Sequence, residues 1–280
     1  MTTTKTIEQI VATEIALVDN EQARHALSRS YGNAAHSLRT IECFFDDFAT
    51  RSWSEEALCV FFHNWRSPGI GSASFCALTF RLMMHAESAE KPEVRSLLYR
   101  CASRLAEVSH EDVGIGGINH QILYDDFATR LTGRDAWKLD RYHHDGTKAF
   151  LTGSRQYRQH GDDLGYAIVR SLPEELYNYG EFTFVAPRFV RWRKEHLGRP
   201  PEGVKDDLKF IHDHLGTTES GHFAALVRGL EDYAAAMGVL PDWTQLYESS
   251  YTLITDMAHH YGAIAQRMRE EEERAGALAA

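Results

Sequence analysis

The chain has 280 residues, 43% of them hydrophobic, with 30 basic against 40 acidic side chains and a net charge of -10. That is enough apolar material for one large core, and with no basic cluster to follow a phosphate backbone it argues against a nucleic-acid partner. Four cysteines without a CxxC pair read as reduced thiols, and no segment approaches the ~20 apolar residues needed to span a bilayer, so the expectation is a cytoplasmic protein with no membrane partner.

Residues 6–30 carry Ile7, Ile10, Val11, Ile15 and Val18 at helical spacing, and 34–48 repeats the pattern; these N-terminal helices, residues 1–50, are expected to lie over the outside of the domain. Ser54 before Glu55 and Glu56 reads as an N-cap with acidic first-turn residues, leading a buried helix that Pro68, Gly69 and Gly71 break. A further helix over 72–88 is punctuated by Lys91-Pro92. The next one places Leu98, Cys101, Leu105 and Val108 on one face, so that Asp112 is the next residue on that face and Glu111 lies one step aside. Gly114, Gly116 and Gly117 end it, and His120 opens a helix with Leu123, Phe127 and Leu131 inward.

The polar stretch 134–163, with its His143-His144 pair, reads as a solvated connection because no periodic apolar face surrounds it. Helical pattern resumes over 164–196, with Glu181, Val185, Phe189 and Trp192 on one side and Pro187 expected to kink or interrupt it. Gly198, Pro200, Pro201 and Gly203 form a loop. The segment 208–237 then reads as one long helix whose inward face is Leu208, Ile211, Leu215, Glu219, His222, Leu226, Leu230, Tyr233 and Met237. A carboxylate and an imidazole in the middle of such a stripe need a partner, because an unpaired buried charge costs several kcal/mol. A last helix follows Pro241, and 269–280 reads as a solvated tail. The whole is an all-α bundle of roughly seven to nine helices, with the main domain over 51–268.

Taken singly, His120 and His222 read as hydrogen-bonded core histidines, Glu181 as a helix-start acid and Glu219 as the partner of a buried arginine. His63, His143, His144, His259 and His260 read as structural, and Arg191 and Arg193 as a solvated face. Together, Asp112 or Glu111, His120, Glu181, Glu219 and His222 are imidazoles and carboxylates drawn from four helices, a donor set that suits two iron or manganese ions better than zinc.

These motifs resemble the heme-oxygenase-like diiron oxidases and oxygenases, which share a helical fold with thiaminase-type and pyrroloquinoline-quinone-synthesis proteins. The most specific piece is SHEDVGIGGINHQILYDDFATRLTG, similar to the family's paired acids, glycine loop and H-x-x-L-[FY]; the resemblance covers most of the chain between about 57 and 237. GEFTFVAPRF supplies a helix-leading glutamate, Glu181. LGTTESGH stands where the family has H-x-x-x-D-x-x-H, with Glu219 and His222 in place but Leu215 at the first histidine, so that His214 or His212 becomes the substitute ligand. His85 and Glu87 are outer alternatives. The resemblance implies a heme-oxygenase-like bundle, a two-iron cofactor with manganese as the alternative, dioxygen as co-substrate, and oxidation of a small molecule. An amino-acid-derived substrate is expected, with Arg188, Tyr179 and Tyr177 as its binding residues, and homodimerisation is left open. The alternatives are a metal-free, thiaminase-like enzyme with a nucleophilic cysteine and a binding protein of this fold that has lost its metal.

Overall fold

A computed structural model describes residues 5–65, 71–115 and 117–279. Among them are thirteen α-helices, two short 3-10 turns and no strand, so the all-α expectation holds while the helix count exceeds it. The excess has local causes. The 6–30 segment divides into α1 (Ile7–Ile15) and α2 (Glu21–Asn33), because Asn20 accepts from Ala23 N at 3.0 Å and caps a new start. Helices α3 (Ala35–Phe48), α4 (Glu55–Trp65), α5 (Ser72–Ser88), α6 (Pro92–Asp112) and α7 (His120–Thr132) follow the expected segments; Pro68, Gly69 and Gly116, expected as breaks, lie outside the described residues.

The stretch 134–163 is not a solvated connection. It forms 3-10 turns that bury Trp137 and Tyr142, then α8 (Asp145–His160), which buries Arg158. Isolated aromatics anchor this segment without any periodic stripe. Helix α9 (Leu164–His196) starts on an Asp163 cap at 2.9 Å from Tyr166 N and runs through both Pro173 and Pro187 without a break. Burial along one face outweighs the hydrogen bonds each proline removes.

After a short α10 (Val204–Asp207), the segment 208–237 is two helices, not one: α11 (Lys209–Asp213) and α12 (Thr217–Met237). Gly216 at φ 75°, ψ -124° divides the last two, a conformation open to glycine. Helix α13 (Trp243–Ala279) continues through the expected tail, and Glu272 Oε1 accepts from Ser54 N at 2.5 Å over the start of α4.

Helices α5, α6, α9 and α12 pack in sequence, α6 on both α5 and α12 and α12 on α9. Helix α13 lies against α2, α3, α4, α8 and α9, and α1 lies on α9. The N-terminal helices are therefore part of the core rather than a cover: Ile7, Val11, Leu27, Tyr31, Ile41 and Phe45 belong to the same apolar cluster as Trp65, Phe189 and Tyr261. The approach of α1 depends on Gly180, where a Cβ would stand 2.7 Å from Val11 Cγ1. Arg193 is another departure from the expected solvated face: it is buried and bonded to Asp207 at 2.7 Å, whereas Arg191 is exposed. Among the described residues no helix is long and apolar enough to cross a membrane.

Candidate metal centre

The α6 face ends as its periodicity requires, with Asp112 turned toward the start of α7, where Asn119 caps the helix by accepting from Gln121 N at 2.9 Å. His120 Nδ1 lies 3.0 Å from Asp112 Oδ1. The neighbouring Glu111 turns the other way, its Oε2 3.0 Å from His222 Nε2 on α12. The structure thus brings in both acids, each to a different imidazole.

His222 is also 3.4 Å, through Nδ1, from Glu175 Oε2 on α9, within ion-pair range but off the line of a hydrogen bond. Glu175, Glu219 and His222 are all buried and offer ligand atoms within 4.8 Å of one another. Glu175 is the member that sequence reading missed. The signal was present: Ile168, Leu172, Glu175 and Phe182 step by four, three and seven along the buried side of α9.

The break at Gly216 decides which side chain joins Glu219. Against the H-x-x-x-D-x-x-H spacing expected above it places one extra residue before Glu219, and His214 rather than Leu215 is the one buried there. Its Nδ1 donates to the Phe210 carbonyl at 2.5 Å, which leaves Nε2 as the lone-pair nitrogen, 3.8 Å from Glu219 Oε1. The His214 ring also faces the His120 ring, with centroids 4.4 Å apart. Glu219 therefore stands between two groups, His214 with His120 and Asp112 on one side, His222 with Glu175 and Glu111 on the other. His212 is half-buried and makes none of these contacts, and His85 and Glu87 on α5 make none either.

Glu181 lies elsewhere. Its Oε1 accepts from Trp65 Nε1 at 2.9 Å and from Tyr261 OH at 2.7 Å, deep in the aromatic core. Burial raises its pKa, against the hydrogen bonds it accepts. Six residues separate it from Glu175, about 9 Å along the axis and on another heading. The expected substrate contacts are also occupied. Arg188 pairs with Asp46 at 2.8 Å and donates to the Phe184 carbonyl at 2.7 Å, Tyr177 is buried beside Glu181, and Tyr179 faces Thr13 and Glu14 of α1.

The electrostatics of the two groups call for a cation. Among the described residues no lysine or arginine pairs with Asp112, Glu111, Glu175 or Glu219; imidazoles are their ion-pair partners. Burial and the nearby Glu175, Asp112 and Glu111 carboxylates hold Glu219 well above the usual carboxylate range, and its Oε2 is buried without a hydrogen-bond partner. Burial lowers the pKa of His222, but the hydrogen-bonding and charge of Glu175, with Asp112 and Glu111, carry it up to about 9. His214 is pulled down to about 4 by burial and by His120, so it is neutral and ready to donate a lone pair. A metal ion would neutralise the carboxylates and take up the unpartnered oxygen, and three imidazoles with four carboxylates are a donor set for iron or manganese.

No protein-family model matches the chain, and no curated protein matches it in sequence. Among solved structures, a CADD-like protein of unknown function from Nostoc punctiforme PCC 73102 is similar at 16% identity with a TM-score of 0.57, over 95% of this chain and 97% of that one. A second crystal structure described in the same words matches over 94% and 96% with the same TM-score. At this identity the likeness carries the fold alone: this chain has the helical architecture of the CADD-like protein over nearly its whole length.

Proposed function

We propose that the protein is a non-heme diiron oxygenase or oxidase that uses dioxygen to oxidise a small molecule. The observation that carries this reading is Glu219, a buried carboxylate set between His214 and the Glu175–His222 pair, with no lysine or arginine among the described residues to neutralise it. Asp112, His120 and His214 would hold one ion, Glu111, Glu175 and His222 the other, with Glu219 shared. Two ferrous ions bound there supply the electrons and the Lewis acidity that dioxygen activation needs.

The chain's own residues prepare the site. The Phe210 carbonyl fixes the tautomer and ring orientation of His214, and the Phe182 ring, 4.4 Å from it by centroids, closes one side against water. Burial, with the Glu175, Asp112 and Glu111 carboxylates, favours the protonated form of Glu219 in the metal-free protein, and a bound cation would favour the carboxylate. Asp112 holds His120 through Nδ1, which directs the other ring nitrogen away from it.

The thiaminase-like alternative needs a thiolate, and this chain prepares none. Cys59 and Cys101 are buried with their thiols pushed up, Cys101 to about 12, while Cys43 and Cys76 are exposed. The metal-lost alternative rested on Leu215, and His214 fills that role. The test is anaerobic reconstitution with ferrous iron, counting iron per chain, then mixing with oxygen and following the visible spectrum. About two irons with a transient absorbance support the reading, and no retained iron sinks it.

A further inference from the structure

Helix α8 packs against α5, α9 and α13 and carries two arginines, Arg155 and Arg158, about one turn apart and so on neighbouring headings. Arg158 is 1% exposed. It pairs with Glu174, donates to Ser74 Oγ at 3.2 Å and lies over the Phe75 ring at 4.1 Å, yet its Nε is buried without a hydrogen-bond partner among the described residues. Arg155 is half-buried. Its Nη2 is likewise buried and without a partner, and among the described residues no carboxylate pairs with it. Burial and the charge of Arg158 both work against its protonated form.

Of the two guanidinium groups only Arg158 has a carboxylate partner, Glu174. A net positive charge and two buried N–H donors, Arg155 Nη2 and Arg158 Nε, are left without partners among the described residues, a costly arrangement. Glu174 immediately precedes Glu175, so this charge sits on the stretch of α9 that also enters the candidate metal centre. Guanidinium matches a carboxylate in shape and charge, with two parallel N–H donors for two oxygens.

We infer that Arg155, backed by Arg158, is an anchor for the carboxylate of a small monoanionic ligand. That this ligand is the substrate rests on the oxygenase reading; that the arginines bind a carboxylate does not. A substrate so held would present its remaining atoms along α9, and the anchor replaces Arg188, whose guanidinium is committed to Asp46.

The test uses the metal-free full chain and fluorine NMR, with trifluoroacetate and 4-fluorobenzoate as probes and 4-fluorobenzamide as the uncharged control. Saturable broadening of at least one carboxylate probe, none of the amide, and affinity at least about tenfold weaker in Arg155→Met are expected, with Arg155→Lys between the two and Arg191→Met unchanged. Because Arg155 has no ion-pair partner to lose among the described residues, Arg155→Met should melt no lower than the wild type, which separates a lost anchor from a lost fold. Equal binding in Arg155→Met, equal binding of the amide, or no saturable carboxylate binding overturns the inference, as does displacement of the probe by inorganic phosphate at lower concentration than by acetate. Iron retention is read separately, so failure of the oxygenase reading leaves this result standing.

Discussion

His120 and His214 face each other with ring centroids 4.4 Å apart, although one opens α7 and the other follows α11. They meet because α7 begins directly after the Asn119 cap and α11 stops at Asp213, just before the turn at Gly216. If this pair serves one ion with Asp112, His214→Ala should weaken iron or manganese retention by at least roughly tenfold, while His212→Ala should leave it unchanged. Metal counting after gel filtration decides between the two histidines.

Glu175 and Glu181 divide the roles that sequence alone would give to one residue. Glu175→Ala should cost metal retention. Glu181→Leu should keep it and instead destabilise the fold, since the Trp65 N–H and Tyr261 O–H would be left buried without an acceptor at about 1–3 kcal/mol each. Urea unfolding beside iron stoichiometry reads both effects.

Gly216 makes the insertion possible. No heavy atom outside its own chain neighbours lies within 4 Å of where a Cβ would go, so Gly216→Ala would suffer only through backbone strain, on the order of 1–3 kcal/mol. The expected outcome is a lower melting temperature together with weaker metal retention, because relief of that strain rotates His214 off its heading.

The metal-free protein should lose stability as the pH rises from about 6.5 to above 9. His222 has a folded pKa of about 9 against an ordinary 6.5, so its contribution is complete below 6.5 and is lost through 9, on the order of 3 kcal/mol. Glu219, raised by burial first, acts in the same direction: the folded chain keeps a proton that the unfolded chain has already released. His214, lowered to about 4, acts in the opposite sense and only below about 6.5. Thermal melts across this range should fall, and less steeply in His222→Gln. Loading with manganese at neutral pH should release protons, measurable by calorimetry in buffers of differing ionisation enthalpy.

Brief alkylation of the native protein should modify Cys43 and Cys76 and spare Cys59 and Cys101, without loss of metal retention. Mass spectrometry of the labelled peptides checks this, and loss of activity on labelling either exposed thiol would revive the cysteine mechanism.

Helical period was enough to read Asp112 and His120, because each lies on a stripe with three or four apolar neighbours on one continuous helix. It was also enough to place Glu219 and His222 on the inner face of what is now α12. It failed where the chain departs from a single helix. The turn at Gly216 shifts the heading of His214, and no periodicity across 208–237 reveals a break that depends on one glycine's backbone. Glu175 was passed over beside Glu174, although its spacing from Ile168, Leu172 and Phe182 marks it as the inward one of the two. Arg193 looked solvated because its partner Asp207 lies beyond a loop, and the 134–163 stretch looked like a linker because Trp137 and Tyr142 bury themselves singly.

Helix α13, about 55 Å long at 1.5 Å per residue, touches five other helices, including α9, which carries Glu175, and α2 and α3 at the other end of the chain. None of these five can detach without also breaking its contact with α13. Opening should therefore be concerted across this group, with the slowest-exchanging amides of α3, α9 and α13 sharing one protection level, and a ligand that stabilises the α9 contacts should slow exchange in α2 as well.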